Sequence, residues 1–301
     1  MEPDVEREDI ARVGICSGDI EPTREPALSS NQVAGTLAIT LGYRGEGYSG
    51  YAEQPGQRTV AGELRQALQT LLRRDVDMEC AGRTDAGVSA LGQVVSVPVT
   101  AEELLRPARR LTASLVALTP DDLSIRGIRR GGQSFSARFD ATQRSYRYRI
   151  CCGPARPVLA WDHAWWLRSV PALDADAMHA AAQALVGEHD FRSFCKATSA
   201  HLLEADGRST CRLLSSVRVS RVREAGEELV AVDVTGNAFL HNMVRIIVGS
   251  LVEVGRGHRD AAWLEGALAA RDRSAAGPTA PARGLVFERV GYPTDALEAW
   301  R

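Results

Sequence analysis

Lys196 is the only lysine among 36 basic residues in this 301-residue chain, so nearly all of the positive charge is arginine. The glycine-rich stretch GYRGEGYSG at 42–50 therefore has no Lys-Ser/Thr to follow it, which rules out a Walker-type phosphate loop. No apolar run approaches the ~20 residues that a membrane span needs. The first residues, MEPDVEREDI, are acidic and lack an apolar core, so no secretory signal is expected there. Six cysteines show no CxxC spacing, and Cys151 and Cys152 are adjacent, which suits neither a routine disulfide nor a zinc site. Reduced thiols in a cytoplasm are the expectation. Six histidines show no HExxH spacing, and no metal site is expected.

What is present is an ordinary globular composition, 45% hydrophobic and 25% charged, with a formal net charge of −2 that is unevenly spread. Residues 1–33 hold eight acids and three arginines, a net of −5, and read as a disordered acidic extension. Residues 106–149 hold ten arginines against Asp121, Asp122 and Asp140, a net of +7. An arginine belt of this kind suits phosphates and bases, because the guanidinium binds phosphate bidentately and stacks on planar rings. Codon usage would explain the missing lysine but not the clustering.

Hydrophobic periodicity predicts strands at 36–41, 93–99, 123–128, 145–151, 213–219, 229–235 and 285–290. A helix over 60–72 is capped by Thr59, with Leu64, Ala67, Leu68 and Leu71 on one face. Thr100-Ala101-Glu102-Glu103 has the form of a capping box that opens a helix running to about 115. Further helices are expected at 174–187, 239–254 and 260–270. His189, in GEHDF, falls near the end of a helix, and WDHAWW at 161–166 reads as packing. The pattern is α+β: two similar lobes of mixed or antiparallel sheet covered by helices, with the active-site cleft between them. The expected organisation is the acidic extension at 1–33, an N-terminal lobe at 34–137 and a C-terminal lobe at 138–301.

Five residues carry the functional reading. Asp85 and Arg83 sit in GRTDAG (82–87), a small turn-like loop that leads into a strand. Taken alone, that loop is a turn with two solvated charges. Arg245 lies in NAFLHNMVRIIVGSLVEVG, a helix apolar nearly all round, and a buried guanidinium needs an anionic partner. Alternation places Tyr146 and Tyr148 on one face of a strand, with Arg147 and Arg149 on the other. A strand tyrosine is ordinarily core, and one interleaved with arginines also suits base stacking. Leu285, in TAPARGLVFERV, is by itself a core leucine.

GRTDAGVSA, SARFDATQRSYRY, GEHDF, NAFLHNMVRIIVGSLVEVG and TAPARGL occur in this order, and together they resemble the TruA family of tRNA pseudouridine synthases. LGYRGEGYSGYAEQPGQRTVAGEL resembles that family's opening, and the likeness runs from about 36 to 292. The chain departs from the family at Tyr43-Arg44-Gly45 (for YDG), Gly50-Tyr51-Ala52 (for GWQ) and Gly87-Val88-Ser89-Ala90 (for GVHA). Residues 196–209 match it poorly and read as a variable loop.

The resemblance implies an isomerase that turns uridine into pseudouridine at positions 38, 39 or 40 of the tRNA anticodon stem-loop. It also implies a homodimer in the cytoplasm, without metal or organic cofactor. Asp85 matches the essential aspartate and would attack or deprotonate the nucleoside. Arg245 would orient it, Tyr146 would stack on the uracil, Leu285 would pack on the base's other side, and Arg83 would help displace the base from its stem. Such chemistry needs an ionised carboxylate, which a neighbouring guanidinium favours. Two other classes stay in view. A catalytically silent RNA-binding protein would not need the acid–guanidinium pair. An aspartate-dependent hydrolase would want a second catalytic carboxylate, and Asp190 and Glu253 carry no such context.

Overall fold

A computed structural model of the protein describes residues 28–29, 32–168 and 172–300. Most of the acidic extension expected over 1–33 lies outside the described residues. The first half comprises β1 (Gly35–Tyr43), α1 (Val60–Leu72), β2 (Glu79–Cys80), β3 (Ser89–Val99), α2 (Ala101–Leu104), α3 (Ala108–Leu118) and β4 (Leu123–Gly131). There follow β5 (Gln143–Cys152), β6 (Trp165–Leu167), α4 (Ala175–Ala182), β7 (Gly187–Asp190), α5 (Ala197–Ala205), β8 (Cys211–Glu224) and β9 (Glu227–Gly236). The chain ends with α6 (Met243–Gly255), α7 (Ala261–Ala270), β10 (Leu285–Gly291) and β11 (Leu297–Ala299). The class is α+β. Among the described residues no helix is long and apolar enough to cross a membrane.

Nine strands form one continuous sheet in the order β11-β4-β1-β3-β10-β5-β9-β8-β7, with β2 added beside β3 and β6 beside β5. Pairing is antiparallel except β10 with β3 and β6 with β5. Strands from the first and second halves thus meet across β10, which pairs Val286 with Ser89 on one side and Leu285 with Tyr148 on the other. The link between β4 and β5 spans the boundary expected at 137, and β11 returns to pair with β4.

Alternation along the strands divides the residues between two faces. Leu37, Ile39 and Leu41 of β1, Val95 and Val97 of β3, and Tyr146 and Tyr148 of β5 join the main core with α1 and α6. The opposite face holds a smaller cluster of Ala38, Val94, Phe135 and Ala137.

Several elements differ from expectation. The Thr100 capping box is present, with Glu103 N–H donating to Thr100 Oγ1 (3.2 Å) and Thr100 N–H to Glu103 Oε2 (2.8 Å). The helix it opens stops at Leu104, however, and a separate helix begins after Pro107, whose missing N–H and fixed φ break the run. The first four residues of GEHDF form the edge strand β7, so His189 lies in a strand and is paired across to Arg212 of β8. Residues 196–209, read as a loop, contain α5. The helix expected from 239 starts at Met243, because Asn242 adopts a left-handed conformation (φ 63°) that α-helical geometry cannot include. WDHAWW packs as expected: Trp166 Nε1–H donates to Gly153 O (3.1 Å), and Trp165 meets Tyr148 edge-on.

Candidate active site

The GRTDAG loop joins β2 to β3, and buried polar groups hold it from behind. Ala81 N–H donates to Val94 O (2.9 Å), and Gln93 Nε2–H donates to Gly82 O (2.6 Å). The hydroxyls of Thr84 and Tyr43 share a hydrogen bond of 2.7 Å. Burial pushes the Tyr43 phenol well above its ordinary range, so it stays a neutral hydrogen-bonding group. Tyr51 N–H donates to Thr84 O (3.0 Å) from a segment that passes very close. Gly50, at φ 99°, makes that approach possible: a Cβ there would lie 3.1 Å from Thr84 O and 3.2 Å from Ala86 N. Val88 N–H closes the turn onto Asp85 O (3.1 Å) through Gly87 at φ 80°. With its backbone held at so many points, the loop presents the Asp85 side chain in one direction.

That direction is the start of α6. Arg245 Nη1 lies 3.2 Å from Asp85 Oδ2 and 2.9 Å from Asn242 Oδ1, and its Nε–H donates to Ala280 O (2.8 Å). The left-handed turn at Asn242 brings its amide oxygen back onto the guanidinium three residues on. Segment 277–280 reaches Arg245 because α6 has small residues on that side. Gly249 leaves no Cβ to collide with Pro278, Ser250 Oγ accepts from Gly277 N–H (2.9 Å), and Ala280 N–H donates to Arg245 O (3.0 Å). The guanidinium is thus fixed before it meets the carboxylate. Its side chain is 18% exposed, against 32% for Asp85.

The other carboxylate oxygen, Oδ1, faces His241 Nε2 at 3.5 Å, and His241 Nδ1 is 2.8 Å from Ser199 Oγ of α5. Both oxygens therefore have a nitrogen-bearing neighbour at long range, and the pair keeps an open side. Beside it, Tyr146 is buried, stacked on Phe287 (ring centroids 4.7 Å apart, 23° between planes) and edge-on to Phe239 (5.0 Å). Burial raises the Tyr146 phenol above its ordinary range, and the Asp85 charge adds to that. Gly82 leaves space next to its hydroxyl: a Cβ there would lie 3.7 Å from it.

The structure brings Asp85, Arg245 and Tyr146 together. Leu285 is buried in the main core at the first position of β10, and Arg83 is exposed at the mouth of the loop. Sequence reasoning missed His241, Asn242, Gln93 and Tyr43 as neighbours of this site. Asn242 had one legible signal, its spacing of three from Arg245. His241 had none, because its contact crosses from the turn before α6 to a loop far away in the chain.

The arginine belt divides. Arg147 is bidentate to Asp233 (2.7 and 3.0 Å) and also meets Glu224, while Arg149 pairs with Glu224 (2.6 Å) and Glu288 (3.3 Å). Arg144 is buried and donates to four carbonyls, those of Ala81, Arg138, Ala141 and Asn237, at 2.6–3.2 Å. These three hold the sheet together, whereas Arg109, Arg110, Arg126, Arg129, Arg130 and Arg138 are exposed.

The chain is similar to known proteins over most of its length. A family profile described as tRNA pseudouridine synthase matches residues 181–293. A tRNA pseudouridine synthase A from Ralstonia nicotianae is 42% identical over 259 residues, covering 85% of this chain and 90% of that protein. One from Brevibacillus brevis is 44% identical over 256 residues, covering 85% of this chain and 99% of that protein. A third, from Shewanella sp. (strain MR-7), is 40% identical over 258 residues, at 85% and 93% coverage.

Proposed function

This chain belongs to the tRNA pseudouridine synthase family, and from that premise we propose that it isomerises uridine to pseudouridine at position 38, 39 or 40 of the tRNA anticodon stem-loop. One observation carries the assignment of the site: an aspartate on a rigid loop, held by a pre-positioned guanidinium, with an open side next to a buried aromatic pair.

The reaction breaks the bond from N1 of uracil to the sugar carbon, turns the detached base, and joins C5 to the same carbon. C5 loses its hydrogen and N1 gains one, so nothing is oxidised, reduced or hydrolysed. Asp85 either attacks the nucleoside or takes its proton, and both tasks require an accessible carboxylate oxygen. Arg245 holds Oδ2, and Asn242 and Ala280 hold Arg245, so the carboxylate arrives already oriented. His241 limits where Oδ1 can swing. A uridine in a stem is reached only by leaving the stack. Arg83, exposed on the same loop, would help displace it. Tyr146, backed by Phe287, supplies one wall for the base and Leu285 the other. The enzyme is proposed to work as a homodimer in the cytoplasm.

The experiment is to incubate the purified chain with an unmodified tRNA transcript carrying uridines at 38, 39 and 40, and to map pseudouridine along it. Conversion confined to those positions is expected. Conversion elsewhere would overturn the choice of positions, and no conversion in any tRNA tried would overturn the activity.

A further inference from the structure

The link between β4 and β5 buries Phe135 and Ala137 and leaves one ring outside. Phe135 packs edge-on to Tyr292 (5.3 Å) in the smaller core. Ala137 N–H donates to Ser96 Oγ (3.0 Å), and Ala137 O accepts from the Tyr292 hydroxyl (2.7 Å). Ser136 Oγ bonds to the Glu79 carboxylate and accepts from the N–H groups of Arg138 (3.1 Å) and Phe139 (2.9 Å). Asp140 closes the turn by accepting from Ser136 N–H (2.9 Å). On a turn held at all these points, Phe139 remains 75% exposed, and the Arg138 guanidinium lies 5.2 Å from the centre of its ring. Leaving a phenyl ring in water forgoes most of what its burial would contribute. A flexible loop could fold such a ring away, and this one is pinned in place.

The turn is also coupled to the Asp85 loop. Arg144 Nη2–H donates to Arg138 O (2.6 Å) while its Nε–H donates to Ala81 O (2.9 Å), one residue before GRTDAG. A single buried guanidinium thus spaces the exposed ring from the catalytic loop. Arg83 follows the last residue of β2 by three positions, and the Arg138 backbone is tied through Arg144 to Ala81, so both residues belong to the same end of β2. Both arginines are exposed.

We propose that Phe139 and Arg138 form a stacking platform for a second unstacked nucleobase of the RNA, a neighbour of the one that enters the Asp85 site. Its flanking phosphates meet Arg138 and Arg83. Displacing one nucleotide from a stem unstacks the next, and a flat ring beside a guanidinium accepts any base by its face. Phe139 is exposed and takes no part in the Tyr146–Phe287 stack, so it does not compete for the target uracil. The proposal rests on the reading of tRNA as substrate.

The test measures equilibrium binding of an unmodified tRNA transcript by fluorescence anisotropy. It uses the full chain with Asp85→Asn, so that no product forms. Phe139→Ala is expected to weaken binding on the order of 10- to 100-fold, and Phe139→Trp to keep it near the parent. Phe139→Leu, apolar but without a π face, should bind like the alanine variant. The melting temperature should change little in all three, since the ring is exposed. Unchanged binding in Phe139→Ala, or parent-like binding in Phe139→Leu, would overturn the platform. Failure of the parent to bind tRNA at all would instead remove the substrate on which the platform depends.

Discussion

Two aspartate–arginine pairs in this chain differ in what they leave free. Asp122 is saturated: Arg58 donates to both of its oxygens (2.8 and 2.9 Å), the Tyr48 hydroxyl adds a third bond (2.7 Å), and Arg58 lies 4.3 Å from the centre of the Tyr48 ring. The Arg58 hydrogen bonds hold the Asp122 carboxyl down at about 2. Asp85 instead has one guanidinium nitrogen at 3.2 Å and an imidazole at 3.5 Å, and its side chain is 32% exposed against 17% for Asp122. A carboxylate bonded closely at both oxygens has little capacity to spare for a substrate. One held at its edge keeps its direction and retains that capacity.

The largest effect expected from this contrast is at Asp85. Asp85→Asn keeps the shape and removes the charge, so single-turnover pseudouridine formation should fall by more than about 10³-fold, with tRNA binding retained. Substantial residual turnover would end the catalytic reading of the loop. Asp122→Asn should leave the rate per folded molecule near that of the wild type, and a matching loss of turnover there would erase the distinction.

Arg245→Lys comes next. It keeps a positive charge but cannot reach Asp85, Asn242 and Ala280 together, and activity should drop on the order of 100-fold. Groups that act as one unit are not additive. The double variant Asp85→Asn/Arg245→Lys should therefore be no slower than Asp85→Asn alone, and a further large decrease would show that Arg245 acts independently.

On stability the ranking reverses. Asp122→Asn should cost about 1 kcal/mol, since Arg58 is partly exposed and solvent screens the pair, which lowers the melting temperature by roughly 2–4 °C. The sign with pH follows from the lowered pKa of Asp122. Its contribution is complete above the unfolded value near 3.9 and is lost as pH falls towards about 2. Wild type and Asp122→Asn should thus differ in stability at pH 7 and converge near pH 2, as denaturant titrations at several pH values can establish. A constant gap would mean that the pair adds nothing electrostatic.

The smallest effect extends the contrast to the arginines. Arg109 and Arg110 are exposed, whereas Arg147 and Arg149 are consumed by Asp233, Glu224 and Glu288. Replacing Arg109 and Arg110 by alanine should lower the salt dependence of log Kd for tRNA by about two. An unaltered slope would place the RNA on another surface.

Much of this molecule was legible along the chain because the signals involved are local. Alternation marked β1, β3, β5 and β9, and Thr59 marked a helix start through a hydrogen bond that spans only a few residues. An apolar helix carrying one guanidinium announced that Arg245 needed an acid, and the motif order suggested which acid. Where local signals competed, they misled. The capping box at Thr100 opened a helix that Pro107 cut short, and the apolar run from 239 hid the left-handed turn at Asn242.

Contacts made across the sheet were the province of the tertiary structure. Arg147 and Arg149 read as RNA-facing until β8, β9 and β10 brought three acids to them, and Arg144 read as one more surface charge until four carbonyls closed around it. The single sheet exists because β10, from the end of the chain, pairs with β3 and β5. His241 reaches Asp85 for the same kind of reason: the two are neighbours only after α6 docks against the loop. Residue types and their periods are properties of the chain, but which charges are left without partners depends on every element that packs around them. That residual freedom, at Asp85 and not at Asp122, is where the chemistry is assigned.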